Sequence, residues 1–149
     1  MDEAQRFKVI FDQTYSYLRR WQLEQQRKAQ IKGKIKTVGG RRVSFENPVR
    51  CYTDSRNYPI QAAPVDLQLL AIQRVHTALL QKGLPAYLVN FIHDELVLEV
   101  REDVVADVRT LLTREMTQAI LDLFASYRPE AMAQGLVEVG VGQNYAEAK

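Results

Sequence analysis

Two apolar stretches facing each other across a two-residue break constrain this 149-residue chain more than any other feature. Tyr87 to Ile92 (Tyr-Leu-Val-Asn-Phe-Ile) and Glu95 to Val100 (Glu-Leu-Val-Leu-Glu-Val) are both rich in β-branched and aromatic residues, so both read as strands. His93-Asp94 between them is then the tip of a tight hairpin, followed at once by Glu95. An acidic tip has two readings. Asp is a common turn residue, so the tip can be a solvated turn. Alternatively, a carboxylate whose backbone is fixed by the sheet beneath it is well placed to hold a metal ion.

The remaining elements follow from periodicity. Phe7, Ile10, Phe11, Thr14, Leu18 and Trp21 recur at three- and four-residue steps, which predicts an amphipathic helix over about 3–31, ended by Gly33. Lys34–Val38 and Arg41–Phe45 flank Gly39-Gly40, a two-residue hairpin signal. Asn47-Pro48 can cap and start a short helix over about 48–57. Pro59 is expected to interrupt it, and Pro64 to open a central, buried helix running to about Lys82. Glu102 to Tyr127 reads as another amphipathic helix, and Leu136 to Val141 alternates as a last short strand. The expected fold is α+β: a small antiparallel sheet with a central His-Asp-Glu hairpin, packed against several helices.

Size predicts one domain over residues 1–149, with a basic helix and hairpin over 1–46 and the remaining core over 47–149. No apolar run approaches the roughly 20 residues of a membrane span, so no membrane partner is expected. Asp2 and Glu3 directly after Met1 do not fit a signal peptide. The single cysteine, Cys51, allows no internal disulfide, which fits a reducing cytoplasm, and it reads as an inert small residue.

A net charge of +2 conceals a gradient. Residues 1–42 carry 11 Lys/Arg against 4 Asp/Glu, whereas residues 94–149 carry 5 against 11. A basic first third suits sequence-independent, salt-sensitive contacts to phosphates, with Lys34, Lys36, Arg41 and Arg42 as candidates. Solvated helix and hairpin faces also collect such residues, so charge alone leaves both readings open.

Four segments in order carry a resemblance. Gly39-Gly40-Arg41-Arg42, Asn57-Tyr58-Pro59-Ile60-Gln61 with Asp66, His93-Asp94-Glu95, and Val137-Glu138-Val139-Gly140-Val141-Gly142-Gln143-Asn144-Tyr145 resemble the C-terminal part of family A DNA polymerases, the bacterial DNA polymerase I type. The likeness covers nearly the whole chain. It implies a palm-like sheet and two-metal nucleotidyl transfer, in which two Asp residues from separate strands clamp the metals. By resemblance Asp94 is one metal ligand, Glu95 the neighbouring carboxylate near the primer end, and His93 the flanking residue that helps position the primer terminus. Asn57 and Gln61 match polar residues that touch template and primer in the minor groove, where acceptors are shared by all correct pairs. A turn residue and a satisfied polar group are the structural alternatives for these two.

The departures are specific. Ala62-Ala63-Pro64-Val65 stands where the family has Gly-Thr-Ala-Ala, Thr53 where it often has Arg, Tyr145 where its final segment has Trp, and Lys149 where many members end in His. Nothing in the chain resembles the Asp-Tyr-Ser segment that supplies the first metal-binding Asp, nor the helix that grips the incoming nucleotide. The resemblance therefore implies a truncated or split polymerase, inactive alone, with Mg²⁺ bound only in a completed site. Its partners would be primer–template DNA and a separate polypeptide carrying the missing half. An exposed sheet edge beside the hairpin would also permit a homo-oligomer, and the cellular setting would be the cytoplasm or nucleoid. The competing reading is a non-catalytic DNA-binding or interaction module derived from such an enzyme. A single-subunit RNA polymerase also uses a His-Asp hairpin, but Glu95-Leu96-Val97-Leu98-Glu99 fits the DNA polymerase pattern better.

Overall fold

The computed structural model describes residues 2–47, 51–127 and 135–148. Their contacts divide the chain into two compact units, Met1–Ala63 and Pro64–Lys149. The fold is α+β, as expected, and among the described residues there are two separate two-stranded antiparallel sheets in place of one. No helix among the described residues is long and apolar enough to cross a membrane.

In the first unit the predicted single helix is two: α1 (Glu3–Thr14) and α2 (Ser16–Lys32), broken at Tyr15 with φ −106° and ψ 48°. The apolar period runs straight through this point, but the local residues do not support it. Thr14, Tyr15, Ser16 and Tyr17 are all mediocre helix formers. The Thr14 hydroxyl also donates to the Ile10 carbonyl at 2.8 Å, a side-chain bond that competes with the helix ladder. Phe7, Phe11 and Tyr15 stack along α1, yet this stripe stays uncovered, with Phe7 70% exposed. Gly33 ends α2 in the left-handed conformation (φ 62°), its N–H donating to the Ala29 carbonyl.

Strands β1 (Lys34–Lys36) and β2 (Arg42–Ser44) pair as a short hairpin. The ladder is shorter than the sequence suggested because Thr37 closes the loop itself. Its N–H meets the Arg41 carbonyl, its carbonyl accepts from Gly40, and its hydroxyl accepts from the Arg41 N–H. Gly40 takes φ 84°, the left-handed residue that ends a three-residue hairpin loop. Ala29, Ile35 and buried Cys51, with Val43 and Phe45, form this unit's small core.

Helix α3 (Asp54–Lys82) corrects two expectations. Pro59 does not interrupt it and Pro64 does not open it: the helix runs unbroken through both. Residues 48–50 of the predicted short helix lie outside the described residues, and 51–53 are not helical. A proline inside a helix removes one bond to the carbonyl four residues back, at a cost of about 3 kcal/mol. Burial in the second half of α3 offsets that local penalty: Ala71, Val75, Ala78 and Leu79 are all buried. The helix is buried on one face rather than around its circumference, since Val65, Leu69 and Leu80 are exposed.

The second unit is built on that face. Gly83 (φ 60°) and Pro85 lead into β3 (Ala86–Ile92), which pairs with β4 (Glu95–Val100). A short 3₁₀ turn at Glu102–Val104 precedes α4 (Val105–Leu123), and Ala125–Tyr127 is a second such turn. Arg101 grips Asp103 with two nitrogens at 2.6 and 2.8 Å, a fork that pulls the Asp103 carboxyl below its ordinary range. Val75, Ala78 and Leu79 of α3, Ala86 of β3, and Val108, Leu111 and Leu112 of α4 make one core, on which Leu88, Leu96 and Leu98 also pack. Buried Glu115 on α4 is paired with Arg74 of α3 at 3.0 Å and with Arg114 at 2.7 Å, so its charge is not left uncompensated.

The predicted last strand does not form. Leu136–Val141 has no ladder, although Val139 packs on the core as its alternation requires. A period of two places side chains but cannot supply a neighbouring strand.

Two outcomes test this packing. Leu111→Ala should destabilise the protein by about 2–5 kcal/mol in urea unfolding, because Leu111 is 2% exposed at the centre of the core. His93 has φ 53°, the only positive φ at a non-glycine among the described residues, at a cost of roughly 1–2 kcal/mol. His93→Gly should leave the melting temperature unchanged or raise it, since glycine relieves that strain at a smaller entropic cost of about 0.5–1 kcal/mol. A marked drop would mean that the imidazole holds the fold.

Candidate functional site

The hairpin tip follows directly from register. Ile92 pairs with Glu95, leaving His93 and Asp94 as a two-residue turn. Such turns favour glycine or asparagine where φ is positive, so histidine there is a local violation. Violations of this kind concentrate where a side chain is needed for something other than folding. Further down the hairpin, Leu88 pairs with Leu98 and Asn90 with Val97, so Val89 is an extra, bulged residue. Bulges of this kind re-aim the residues beyond them. Beyond it Phe91 is 56% exposed, while Leu88 stays packed on the core.

His93, Asp94 and Glu95 are thus brought together at one exposed tip, as the sequence predicted. Glu95 is not idle: the Tyr145 hydroxyl donates to its carboxylate at 2.6 Å. Tyr145 is held by a capped turn. Asn144 Oδ1 accepts from the N–H groups of Ala146 and Glu147, its amide nitrogen donates to Glu147 at 2.6 Å, and Glu147 accepts from the Gln143 N–H. This is a capping arrangement with Asn at the cap and Glu three residues on. Gly140 lies against the Ala148 backbone and Gly142 against Glu147 and Ala148, where a Cβ would collide. The glycines of the Val-Gly-Val-Gly segment are therefore required by a chain that folds back on itself. A groove lined by Asp94, Glu95, Met116, Val139 and Tyr145 runs between the hairpin, α4 and this segment. Sequence reasoning gave Asn144, Tyr145 and Glu147 no role, although Asn-x-x-Glu at 144–147 is itself a helix-start signal.

Could the tip hold a metal? Among the described residues no group of three or more His, Cys, Asp or Glu side chains is placed to bind a cation. Asp94 offers one carboxylate, and that of Glu95 is engaged by Tyr145. This donor set does not fit a resident metal pair.

The candidate nucleic-acid contacts lie in the first unit. Strand alternation puts Lys34, Lys36 and Arg42 on one exposed face, with Ile35 and Val43 on the other. Lys36 stands directly opposite Arg42. Like charges so placed destabilise a hairpin, and among the described residues no carboxylate pairs with Lys34, Lys36 or Arg42. Three other cations of the basic third are already paired. Lys8 and Arg19 pair with Asp12, and Lys28 with Glu24. The Arg56 guanidinium stacks 3.6 Å above the Tyr52 ring and donates to Gln26 at 2.9 Å. Hydrogen bonds from Arg19 and then Arg56 hold the Tyr52 hydroxyl below its ordinary range.

Arg41 differs from its neighbour. Its guanidinium donates to the Ala62 carbonyl at 3.4 Å, tying the hairpin loop to α3. Asn57 and Gln61 are both exposed, one turn apart on α3, so they share a face. Gln61 sits next to the residue that Arg41 holds.

Known proteins are similar to this chain in sequence and in fold. The model of DNA polymerase family A matches residues 1–147. DNA polymerase I of Aquifex aeolicus is 32% identical over 121 residues, covering 80% of this chain and 20% of that protein. The thermostable DNA polymerase I of Thermus filiformis is 30% identical over 155 residues, covering 99% of this chain and 17% of that protein. The POL domain of Pol1 from M. smegmatis, solved in complex with DNA primer-template and dNTP, superposes with a TM-score of 0.65 at 25% identity, over 77% of this chain and 22% of that one. The chain thus spans about a fifth of the length of these relatives. A family match over residues 1–147, and a matching fold, place this chain in DNA polymerase family A.

Proposed function

We propose that this chain is the C-terminal palm piece of a DNA-directed DNA polymerase, which contributes primer–template contacts and one catalytic carboxylate but does not polymerise alone. The observation that carries the reading is the pairing of a family match over residues 1–147 with a tip holding one uncommitted carboxylate. Asp94 would serve as one ligand of a site whose other carboxylate lies outside these 149 residues. Mg²⁺ is the cofactor such a site would take. Among the described residues the donors do not hold it by themselves. His93 and Glu95 would flank the primer terminus, Asn57 and Gln61 would touch base edges in the minor groove, and Lys34, Lys36 and Arg42 would meet phosphates. Arg41 would act indirectly, by steadying the segment that bears Gln61. The setting for such a protein is the cytoplasm or nucleoid.

The outer edge of β3 supports a completing partner. Among the described residues β3 pairs with β4 alone, and Tyr87, Val89 and Phe91 are 70%, 48% and 56% exposed. An apolar strand with a free edge recruits another strand. Purified alone, the chain should show no template-dependent extension. Mixed with a separately made N-terminal family A half, it should sediment as a complex and extend a primer, and Asp94→Ala should abolish that activity. Extension by the chain alone, lost in Asp94→Ala, would overturn the split reading. A complex without extension would favour the non-catalytic module.

DNA binding has its own test. Affinity for primer–template duplex should be independent of sequence and fall steeply with salt, through counterion release. The charge reversals Lys36→Glu and Arg42→Glu together should weaken binding to every sequence alike and reduce the salt slope by about two. Fluorescence anisotropy across a salt series checks this, and an unchanged slope would make the hairpin face merely solvated.

A further inference from the structure

The Tyr145–Glu95 hydrogen bond joins residues 50 positions apart, and it lies outside the core. Both partners are exposed, Tyr145 at 41%. An exposed bond of this kind adds little to stability. Its consequence is geometric. Glu95 has its backbone fixed by pairing with Ile92, but its carboxylate ends a flexible stem at an exposed position, where several rotamers compete. A short bond to a charged acceptor selects among them. The donor's backbone is itself fixed, because Tyr145 opens the turn capped by Asn144 and Glu147, and Gly140 and Gly142 seat that turn against the chain. Each constraint leads to the next and the last one acts on a carboxylate at the candidate site.

We infer that Tyr145 is a positioning residue for Glu95: the C-terminal turn exists in this form to hold that carboxylate in one orientation beside the hairpin tip. Its effect on nucleotide addition rests on the polymerase reading above, whereas the orientation itself does not. A merely structural staple would loosen the C-terminal segment when the hydroxyl is removed and leave the Glu95 rotamer as it was.

The test uses the full chain and Tyr145→Phe, which removes the donor and keeps the ring. Three-bond couplings at the Glu95 β-protons should report one rotamer in the original chain and averaged rotamers in the variant. Equal averaging in both, or one rotamer in both, would overturn the proposal. A second measurement adds the N-terminal family A half. Tyr145→Phe should lower kcat for single-nucleotide addition about three- to tenfold, the range of the net worth of a typical hydrogen bond, with KM for the nucleotide unchanged. In a Glu95→Ala background the same change should have no further effect. An unaltered kcat in an active complex would overturn the catalytic part of the role while the polymerase reading stands. A wild-type complex with no activity would defeat the polymerase reading instead, and the rotamer result alone would then support or overturn Tyr145 as the group that fixes Glu95.

Discussion

The packing of the β3–β4 hairpin against α3 and α4 is the constraint on which the candidate site depends. Leu88, Leu96 and Leu98 face a core made by Val75, Leu79, Val108 and Leu111. Because side chains alternate along a strand, a slip of one residue would turn all three leucines to solvent. Register is therefore fixed by burial, and a fixed register leaves His93 and Asp94 no place but the turn. The cost at His93 is local and small beside the apolar surface that would be lost in a slip. Asp94 needs no partner of its own to be held in place, since its backbone is positioned by the hairpin behind it.

The first unit solves a different problem with the same alternation. Its hairpin is too short to bury much, and its core is confined to Ala29, Ile35 and Cys51 with two flanking residues. What alternation achieves there is segregation of charge: Ile35 and Val43 turn inward, while Lys34, Lys36 and Arg42 are left together outside. Elsewhere in this third Lys8 and Arg19 are paired with Asp12, and Lys28 with Glu24. Those three pairings lower the charge available for phosphate contact below the sequence count. Arg41 and Arg42 are adjacent in sequence and differ in kind, one tied to a backbone carbonyl and the other facing solvent.

How much of this was legible in the sequence depends on whether local or distant forces decided each element. Both strands of the second hairpin were readable nearly to the residue, because burial, β propensity and turn length all agree there. Helix α4 was readable for the same reason, with Val108, Leu111, Leu112 and Ala119 on one stripe. The failures occur where levels conflict. Pro59 and Pro64 argue locally for breaks, but burial further along α3 overrides them. Thr14 to Tyr17 argue for a break that the apolar period conceals. Leu136 to Val141 has the period of a strand without a neighbour to pair with, and periodicity is blind to that lack. The family likeness named the candidate site residues, but it gave no warning that Arg41 would turn to Ala62 or that Tyr145 would meet Glu95.

That last contact shows why the two acidic residues of the tip are not equivalent. Asp94 sits within the turn, next to a strained residue. Glu95 begins β4, where the ladder fixes its backbone but not its longer side chain. A carboxylate on a longer stem needs a second constraint to be as well placed as one on a shorter stem, and the C-terminal turn supplies it through a single hydroxyl. The Asn144 cap, the Glu147 return bond and the close approach at Gly140 and Gly142 otherwise have little to stabilise, since Tyr145 and its neighbours are exposed. They become intelligible as the support of one donor. The order within the final segment follows from this geometry: small residues where the chain doubles back, a capping residue to start the turn, and a donor at the first position of the turn.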